Sequence, residues 1–273
     1  MTFQLLVSCV RQDVHALCEK MNISSDALII NQGSAYAAEE CDRKGHSIKA
    51  LSMDEKGVGL SRTTALQRAT ADIVLFSDED IVYSDDYEAL VKDQFEKNPK
   101  ADMILFNVKV SEKRRTYWTD SAHRVHRWNC GRYPAYSIAA RTCRLHETGL
   151  TYHLWFGGGA VFSNGEDSLF LNEALKRGLK VLAVPVCIGE EKPREDGSST
   201  WFSGYNEKFF YDRGVLYHYL YGALAPVMIL RFLILKKSYM CKDVSYKEAK
   251  KLMKKGCRER RPWDGDTSKN RQE

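Results

Sequence analysis

Two short acidic segments carry the side chains of this sequence that could perform chemistry. Asp78-Glu79-Asp80 follows the apolar run Ile73–Phe76, and Glu166-Asp167 follows a glycine-rich segment. Three adjacent carboxylates repel one another unless a positive charge lies between them. A divalent cation with oxygen ligands would supply that charge, and a nucleotide diphosphate would complete its coordination shell. An acidic turn that caps the following helix is the alternative interpretation.

The second acidic segment opens a predicted helix that ends near Gly178. The three glycines at 157–159 precede it, and glycine lets a backbone approach a ligand closely. Acidic residues are also common in the first turn of a helix, so compensation of the helix dipole is the alternative. If both acidic segments meet at one end of a sheet, one can hold a metal ion while the other serves as general base.

Apolar runs predict the strands that position these acids. Ile73–Phe76 is β-branched and aromatic, which is typical of a buried strand. Phe3–Val10, Ala27–Ile30 and Ser47–Leu51 are further predicted strands, and a helical pattern between the first two indicates a right-handed parallel crossover. Ligands of open α/β sheets bind beyond the carboxyl ends of the strands. Polar residues at those ends are expected to line a shared crevice: Ser8, Arg11, Asn31 and Gln32.

The segment Lys56–Leu66 places two glycines before a predicted helix. Backbone N–H groups at such a helix start can bind a phosphate group. The segment is not a P-loop, because the Gly-Lys-Ser/Thr ending is missing. Arg62 lies in the first turn, which is unfavourable for a cation on dipole grounds. Either Arg62 is solvated or an anion, such as a diphosphate, holds it there.

The span 111–150 is rich in arginine and aromatic residues and has little periodicity, as is typical of functional or mobile segments. Aromatic faces stack on sugar rings, and Arg or His donates to sugar hydroxyls. The span therefore predicts a carbohydrate platform made of Trp118, His123, His126, Arg127, Trp128, Arg132 and Tyr133. The charged segment 190–200 is predicted to be a mobile loop that closes over a ligand.

The C-terminal part changes in composition. Residues 217–235 are strongly apolar but interrupted by Pro226 and Arg231, which favours helices that lie on a membrane or cover the domain over a true span. Residues 236–261 are strongly basic and contain an amphipathic helix that suits an anionic leaflet. A solvated helix docked by its apolar face is the alternative. We expect peripheral contact with an anionic membrane through residues 217–261.

Composition excludes several classes of protein. The net charge of +5 is too small to imply nucleic acid binding, and no basic stripe interleaves with aromatic residues. The eight cysteines form no CxxC pair, which argues against a zinc site. The N-terminal apolar run is too short for a signal peptide. Unpaired cysteines then predict a reducing, cytoplasmic location.

The order of these segments resembles the GT-A glycosyltransferases of family two, which are inverting enzymes that use nucleotide sugars. Gly57–Arg62 resembles the segment before the family's central helix, Asp78-Glu79-Asp80 its DxD metal motif, and Gly165-Glu166-Asp167 its acceptor-base motif. The resemblance implies a GT-A, Rossmann-like α/β fold over residues 1–205, with a mixed, mostly parallel central sheet flanked by helices. A C-terminal helical extension, apolar and then basic, would occupy residues 206–273.

The resemblance also implies roles. Asp80 would coordinate Mn²⁺ or Mg²⁺ carrying the diphosphate, with Asp78 on the metal or the ribose. Asp167 would take the proton from the acceptor hydroxyl, with Glu166 as the alternative. The residues expected around the donor nucleotide are Ser8, Val10, Asn31, Gln32, Arg62, Asp78 and Glu79. Those expected on the acceptor side are Trp118, Arg127, Tyr133, Gly158 and Gly159.

These roles predict a hexosyltransferase in surface polysaccharide or capsule biosynthesis. It would move a sugar from a nucleotide sugar, a UDP-sugar, to a hydroxyl of a glycan or lipid-linked acceptor at the cytoplasmic face of a membrane. One alternative is a non-catalytic module of the same fold that binds nucleotide sugars or glycans. Another is a sugar nucleotidyltransferase, which would release pyrophosphate instead of a nucleoside diphosphate.

Overall fold

The computed structural model describes residues 1–111, 115–192 and 204–263. The chain divides into two compact units. The first unit comprises Met1–Leu154 and Glu166–Ser198, and the second comprises Trp155–Gly165 and Ser199–Glu273. The predicted division at residue 205 stays a prediction, and most of the predicted loop at 190–200 lies outside the described residues.

The first unit is built on one mixed sheet, which has ten strands within the described residues. The strands are β1 (Phe3–Val10), β2 (Ala27–Gln32), β3 (Ala37–Arg43), β4 (His46–Met53), β5 (Ile73–Asp78), β6 (Ile81–Tyr83), β7 (Met103–Lys109), β8 (His123–Arg124), β9 (Ile138–Arg141) and β10 (Val181–Glu191). Five neighbouring strands run in the order β3-β4-β2-β1-β5, in which β4, β2, β1 and β5 are mutually parallel. The sheet continues through β9, which is antiparallel to both its neighbours, to β7, β10 and β6.

Helices cover both faces of this sheet, because the central strands are apolar on both sides. Alternate residues of β1 point to opposite faces, so Leu5 joins one hydrophobic cluster and Leu6 the other. The helices are α1 (Val14–Lys20), α2 (Val58–Arg68), α3 (Tyr87–Lys97), α4 (Thr142–Glu147) and α5 (Glu166–Lys176). The first cluster includes residues of α1 and α3, and the second includes residues of α2, α4 and α5. The predicted mixed, mostly parallel α/β fold is confirmed.

Strand register brings the polar residues of three neighbouring strands to one edge. Ser8 on β1 is level with Asp78 on β5, and Val10 on β1 is level with Gln32 on β2. Because these strands are parallel, all three carboxyl ends meet at the same edge of the sheet. The predicted shared crevice therefore has its physical basis in the register of β2, β1 and β5.

Some strands differ from the sequence-based prediction. The predicted strand at 47–51 extends to His46–Met53. Strand β3 was not predicted, because Ala37–Arg43 is mostly exposed at the sheet edge and lacks an apolar alternation. Strand β9 was not predicted either, since it lies in the irregular span between β7 and α5.

The second unit contains three helices within the described residues: α6 (Glu207–Tyr221), α7 (Ala225–Met240) and α8 (Tyr246–Glu259). Helix α8 buries Ala249, Leu252, Met253 and Gly256, and it packs on α6. By length and composition, the helical stretch Glu207–Met240 is apolar enough to cross a membrane, and 22% of its most apolar window is buried.

Candidate active site

One buried arginine joins the two acidic segments. The Arg62 side chain on α2 is only 3% exposed. Its Nη2 donates to Asp78 Oδ1 at 2.6 Å, and its Nη1 donates to Asp167 Oδ1 at 2.8 Å and to Glu166 Oε1 at 3.1 Å. We call these four side chains the arginine cluster. The cluster brings the end of β5 and the start of α5 together. From the sequence alone, this meeting of the two acidic segments is a condition and not a prediction.

The arginine cluster corrects one expectation about Arg62. A solvated Arg62 is excluded by its burial, and the anions that hold it are the protein's own carboxylates. Burial of a lone guanidinium would be costly, so its three charge-assisted hydrogen bonds are needed to compensate desolvation. The expected contact of Arg62 with the donor nucleotide stays a prediction.

Helix α2 is fixed in place by close packing against the segment before Leu154. A Cβ at Gly59 would lie 2.7 Å from the His153 carbonyl oxygen, so only glycine permits this approach. The Tyr152 N–H donates to Thr63 Oγ1 at 3.1 Å. The Tyr152 ring stacks on Phe170 of α5 at a centroid distance of 4.0 Å, and the Arg62 guanidinium lies 5.4 Å from its centre. The aromatic ring of Tyr152 thus separates Arg62 from the core and holds α2 and α5 at a fixed spacing.

Asp167 has the chemistry expected of a general base. Burial raises its pKa to about 8, the charge on Glu166 contributes to the rise, and Arg62 opposes it. Its Oδ2 accepts the Ala135 backbone N–H at 3.1 Å, while its side chain keeps 23% exposure. A base is most effective when its pKa lies near the working pH. The two hydrogen bonds orient the carboxylate, and part of it remains open to solvent; its role as the base stays a prediction.

Formal charges in the arginine cluster do not balance. Three carboxylates face a single guanidinium. Neighbouring negative charges oppose the ionisation of all three carboxylates. Together with burial, they raise the pKa of Asp167 although Arg62 lies beside it. A bound cation near Asp78 would offset the excess.

The remaining acids of the first segment have different surroundings. Glu79 Oε2 accepts the Val10 backbone N–H at 2.9 Å, which ties the turn after β5 to the end of β1. The Asp80 carbonyl accepts the Lys192 N–H at 2.8 Å, so the residue that follows β10 holds the other side of this turn. The Asp80 side chain is half-buried. The turn is therefore anchored from both sides, with Asp78 and Asp80 as its partly exposed carboxylates.

The donor set suits a divalent ion that is shared with a substrate. Asp78 and Asp80 offer carboxylate oxygens, which Mg²⁺ and Mn²⁺ prefer. The described part of the chain contains no group of three or more His, Cys, Asp or Glu residues arranged to hold a metal by themselves. Mg²⁺ is commonly bound by one or two carboxylates together with substrate phosphates. The residues fit such an ion and do not fit a metal held by the protein alone.

The other predicted donor residues lie along the same edge. Ser8 Oγ accepts from Ser61 Oγ at 2.8 Å, which links β1 to α2. The Asn31 side chain bonds both backbone groups of Gln12, and Gln32 Nε2 donates to the Gly57 carbonyl at 3.2 Å. Asn31 and Gln32 are nearly fully buried. Their side chains hold the loops after β1 and before α2, and their contact with a nucleotide stays a prediction.

The predicted carbohydrate platform is only partly exposed. Tyr133 is 2% exposed, and Tyr117 and the Arg132 guanidinium pack against its ring. Because both neighbours cover it, Tyr133 does not offer a free face to a sugar. Trp118 is half-buried, and Arg127 donates from Nε to Asn172 of α5 at 3.2 Å. Of the predicted platform aromatics, Trp128 is the most exposed, at 76%.

Gly158 and Gly159 belong to the second compact unit. Their loop closes on itself, because the Gly157 N–H donates to the Phe162 carbonyl at 2.9 Å. Asp212 of α6 accepts from both the backbone and the hydroxyl of Ser163. The loop is therefore anchored on α6, and the acceptor role of its glycines stays a prediction.

Sequence reasoning missed three groups at the site. The Ala135 N–H that binds Asp167 has no side-chain signature, and Tyr152 lies in a segment without periodicity. Tyr136 was also missed. Burial raises its pKa, and the nearby charges of Glu191, Asp78, Asp80 and Asp167 raise it further. Its phenol therefore stays protonated beside the acidic groups and can donate a hydrogen bond there.

A comparison of the sequence with models of known protein families identifies the family of this chain. The family model described as glycosyl transferase family 2 matches residues 9–160, which is more than half of the 273 residues. The chain belongs to glycosyl transferase family 2. It is accordingly a glycosyltransferase, and the acids at the end of β5 lie within the matched residues. A comparison with curated protein sequences found no match.

Solved structures support the GT-A fold of this family 2 chain. Staphylococcus aureus TarS, residues 1–349, in complex with UDP-GlcNAc has a TM-score of 0.62 at 15% identity, and the match covers 89% of this chain and 74% of that one. The same TarS fragment with UDP has a TM-score of 0.58 at 14% identity, with the same coverage. At these identities the likeness establishes the fold alone.

Replacing Arg62 tests the arginine cluster. Arg62→Met would leave three facing carboxylates without their cation, so we expect a loss of about 3–5 kcal/mol in the free energy of unfolding. Arg62→Lys keeps the charge but not the fork of donors, and its loss should be smaller. Chemical denaturation of the purified chain measures both.

Arg68→Met is the matched control, because Arg68 is exposed on the same helix. Its loss should stay below about 1 kcal/mol. Adding Asp78→Asn to Arg62→Met should cost less than the sum of the single changes, since one unpaired carboxylate is removed. Equal losses for Arg62→Met and Arg68→Met would contradict the cluster.

The raised pKa of Asp167 predicts the pH dependence of sugar transfer. A general base must be deprotonated to act. Burial and the charge on Glu166 raise the pKa of Asp167 to about 8, so kcat/KM should fall as the pH drops below this value. Glu166→Gln removes a charge that raises this pKa, so the acidic limb should shift to lower pH. Transfer rates from pH 5 to 10 provide the profile. An acidic limb near pH 4, unchanged in Glu166→Gln, would exclude Asp167 as the titrating base.

Proposed function

We propose that this protein is a metal-dependent, inverting hexosyltransferase that uses a UDP-sugar and glycosylates a hydroxyl of a glycan or lipid-linked acceptor. The observation that carries the proposal is the arginine cluster, in which Arg62 contacts Asp78 and Asp167 together. A donor-side acid and an acceptor-side acid thereby lie a single guanidinium apart. This spacing suits a reaction in which both substrates meet at one carbon atom.

Each residue has a chemical task in the proposed reaction. Asp167 accepts the proton of the acceptor hydroxyl while that oxygen bonds to the anomeric carbon of the sugar. The bond from this carbon to the diphosphate oxygen breaks, the configuration inverts, and the nucleoside diphosphate leaves. Arg62 and the Ala135 N–H hold Asp167 in a fixed orientation, which reduces the entropic part of the barrier.

Asp80 and Asp78 would hold Mn²⁺ or Mg²⁺ together with the donor phosphates. The ion would neutralise the negative charge that develops on the leaving diphosphate. The chain's own contribution is the doubly anchored turn after β5, which keeps these carboxylates at the sheet edge. Ser8, Val10, Asn31 and Gln32 at the ends of β1 and β2 would line the nucleotide side of that edge.

The proposed donor and the proposed acceptor have separate support. S. aureus TarS, whose fold this chain shares, binds UDP-GlcNAc, and we extend the UDP-sugar class to this chain. An acceptor in surface polysaccharide or capsule biosynthesis, handled at the cytoplasmic face of a membrane, agrees with the composition of the C-terminal helices.

The alternative functions make different products. A sugar nucleotidyltransferase of similar fold would release pyrophosphate, whereas the proposed enzyme releases a nucleoside diphosphate. A non-catalytic binding module would release neither. The orientation of Asp167 by two hydrogen bonds favours catalysis, because a module that only binds has no need of an oriented base with a raised pKa.

Donor binding should depend on Asp80 and on the ion. A nucleotide sugar with Mn²⁺ at about 100 times its Kd should stabilise the chain by about 2.7 kcal/mol, and Asp80→Asn should remove most of this gain. Thermal-shift measurements with a panel of nucleotide sugars, with and without Mn²⁺, test both statements.

Asp86→Asn is the control for this experiment, because Asp86 is exposed after β6 and its side chain makes no capping bond. It should respond to donor and metal as the wild type does. A nucleotide-sugar response that is independent of Mn²⁺, or retained in full by Asp80→Asn, would contradict the metal assignment.

We also propose peripheral contact with an anionic membrane through residues 217–261. The apolar residues of α8 are packed inward, as in the alternative of a helix docked by its apolar face. Its lysines remain outside, where Lys247, Lys250, Lys251, Lys254, Lys255 and Arg258 line one surface. Helix α7 supplies the exposed apolar side chains instead: Val227, Leu230, Ile234 and Leu235.

The division of tasks between α7 and α8 predicts how membrane binding responds to substitution. Each lysine near an anionic surface contributes about 1 kcal/mol, so Lys250→Gln with Lys254→Gln should weaken binding to phosphatidylglycerol vesicles more than tenfold. Ile234→Ser should weaken binding through lost apolar contact. Co-sedimentation with phosphatidylglycerol and phosphatidylcholine vesicles measures both. Partition that is unaffected by these changes and by salt would exclude the contact.

A further inference from the structure

An open groove with a basic lining lies in the irregular segment after β7. Its volume is about 550 Å³, within the range of about 300–1,000 Å³ that is typical of small-molecule sites. Arg115 and Arg132 contribute two positive charges, and Asp120 contributes one negative charge. The lining residues are Arg115, Thr116, Tyr117, Trp118, Asp120 and Arg132.

The two arginines of this groove have no acidic partner. Within residues 1–111, 115–192 and 204–263, neither Arg115 nor Arg132 forms an ion pair. Asp120, the acid in the lining, accepts instead from Trp118 Nε1 at 3.0 Å. The lining therefore carries two arginines against one aspartate, which leaves the groove a net positive charge.

Two aromatic rings restrict the position of the Arg132 guanidinium. The guanidinium lies over the rings of Tyr117 and Tyr133, at 5.8 and 5.2 Å from their centres, and donates to Tyr133 Oη at 3.3 Å. Stacking on aromatic faces restricts a guanidinium without neutralising its charge.

The position of the groove relates it to the catalytic helix. Three contacts tie the segment 127–135 to α5: Arg127 donates to Asn172, Gly131 approaches Ser168, and the Ala135 N–H donates to Asp167. Along this segment the contacts move from the middle of α5 to its first turn. Arg132 lies between the last two contacts along the chain, so one arginine of the groove belongs to the segment whose Ala135 N–H binds Asp167.

We infer that this groove binds an anionic group, a carboxylate or a phosphodiester, carried by the acceptor glycan. The inference rests on the proposed function, since it takes the acceptor to be a glycan delivered to Asp167. A guanidinium pairs with the two oxygens of a carboxylate or phosphate in a planar, bidentate manner. Trp118 supplies an aromatic face for the adjoining sugar ring. Anionic acceptors would thus be selected over neutral ones.

Calorimetric titration of the full chain tests this groove with three oligosaccharides of equal length. Oligogalacturonate represents the carboxylate, a phosphodiester-linked sugar oligomer represents the phosphate, and a gluco-oligosaccharide is neutral. We expect one of the anionic ligands to bind at least tenfold more tightly than the neutral one, with an affinity that falls as salt is added. Which anionic ligand binds identifies the source of the charge.

Substitutions locate the binding. Arg132→Gln and Arg115→Gln should each weaken the anionic ligand about tenfold, as expected for loss of a charged hydrogen bond, and leave the neutral ligand unchanged. Arg115→Gln guards against a folding defect from the lost stacking of Arg132. Arg124→Gln is the matched control, because Arg124 is exposed on β8 and does not line the groove.

Three results would overturn the inference: equal binding of neutral and anionic ligands, no binding of either anion, or equal losses in Arg124→Gln and Arg132→Gln. The thermal shift of the same variants with nucleotide sugar and Mn²⁺ separates this inference from the proposed function. If the donor stabilises the protein but anions do not bind, only the groove assignment fails. If anions bind but no nucleotide sugar does, the transferase proposal fails and the anion site remains.

Discussion

The buried guanidinium of Arg62 is the interaction on which the site depends. It holds Asp78 from the sheet and Glu166 and Asp167 from α5, although these acids are about ninety residues apart in the chain. A buried arginine without partners is strongly destabilising, and so is a group of facing carboxylates without a cation. Each half of the arginine cluster therefore requires the other. This mutual requirement fixes α2, β5 and α5 in one geometry before any substrate binds.

The charges of the same cluster relate the site to the chemistry expected of a family 2 glycosyltransferase. Three carboxylates around one cation leave an excess of negative charge, which a divalent ion with a nucleotide diphosphate can share. Burial and this excess together raise the pKa of Asp167 toward neutrality, as suits a base that must take a proton and later release it. In the proposed reaction, donor binding and base strength would both depend on this one buried, unbalanced group of charges.

Much of this could be predicted from the sequence, because local pattern and strand topology determine it. The apolar run Ile73–Phe76 indicated a strand, and parallel strands deliver the residues that follow them to one edge. The partners of Arg62 could not be predicted, since they depend on packing between distant segments. The Ala135 N–H and the stacked Tyr152 were missed for the same reason. Strand β3 was missed because an exposed edge strand needs little apolar pattern.

Replacement of Asp167 by Asn tests the account most directly. Sugar transfer and donor affinity would be measured for the wild type, Asp167→Asn and Glu166→Gln, with nucleotide sugar and Mn²⁺ present. If Asp167 is the general base, Asp167→Asn should lower kcat/KM by about 10²–10⁴ while the donor still binds. Glu166→Gln should retain most of its activity at neutral pH. Transfer by Asp167→Asn at the wild-type rate would contradict the account.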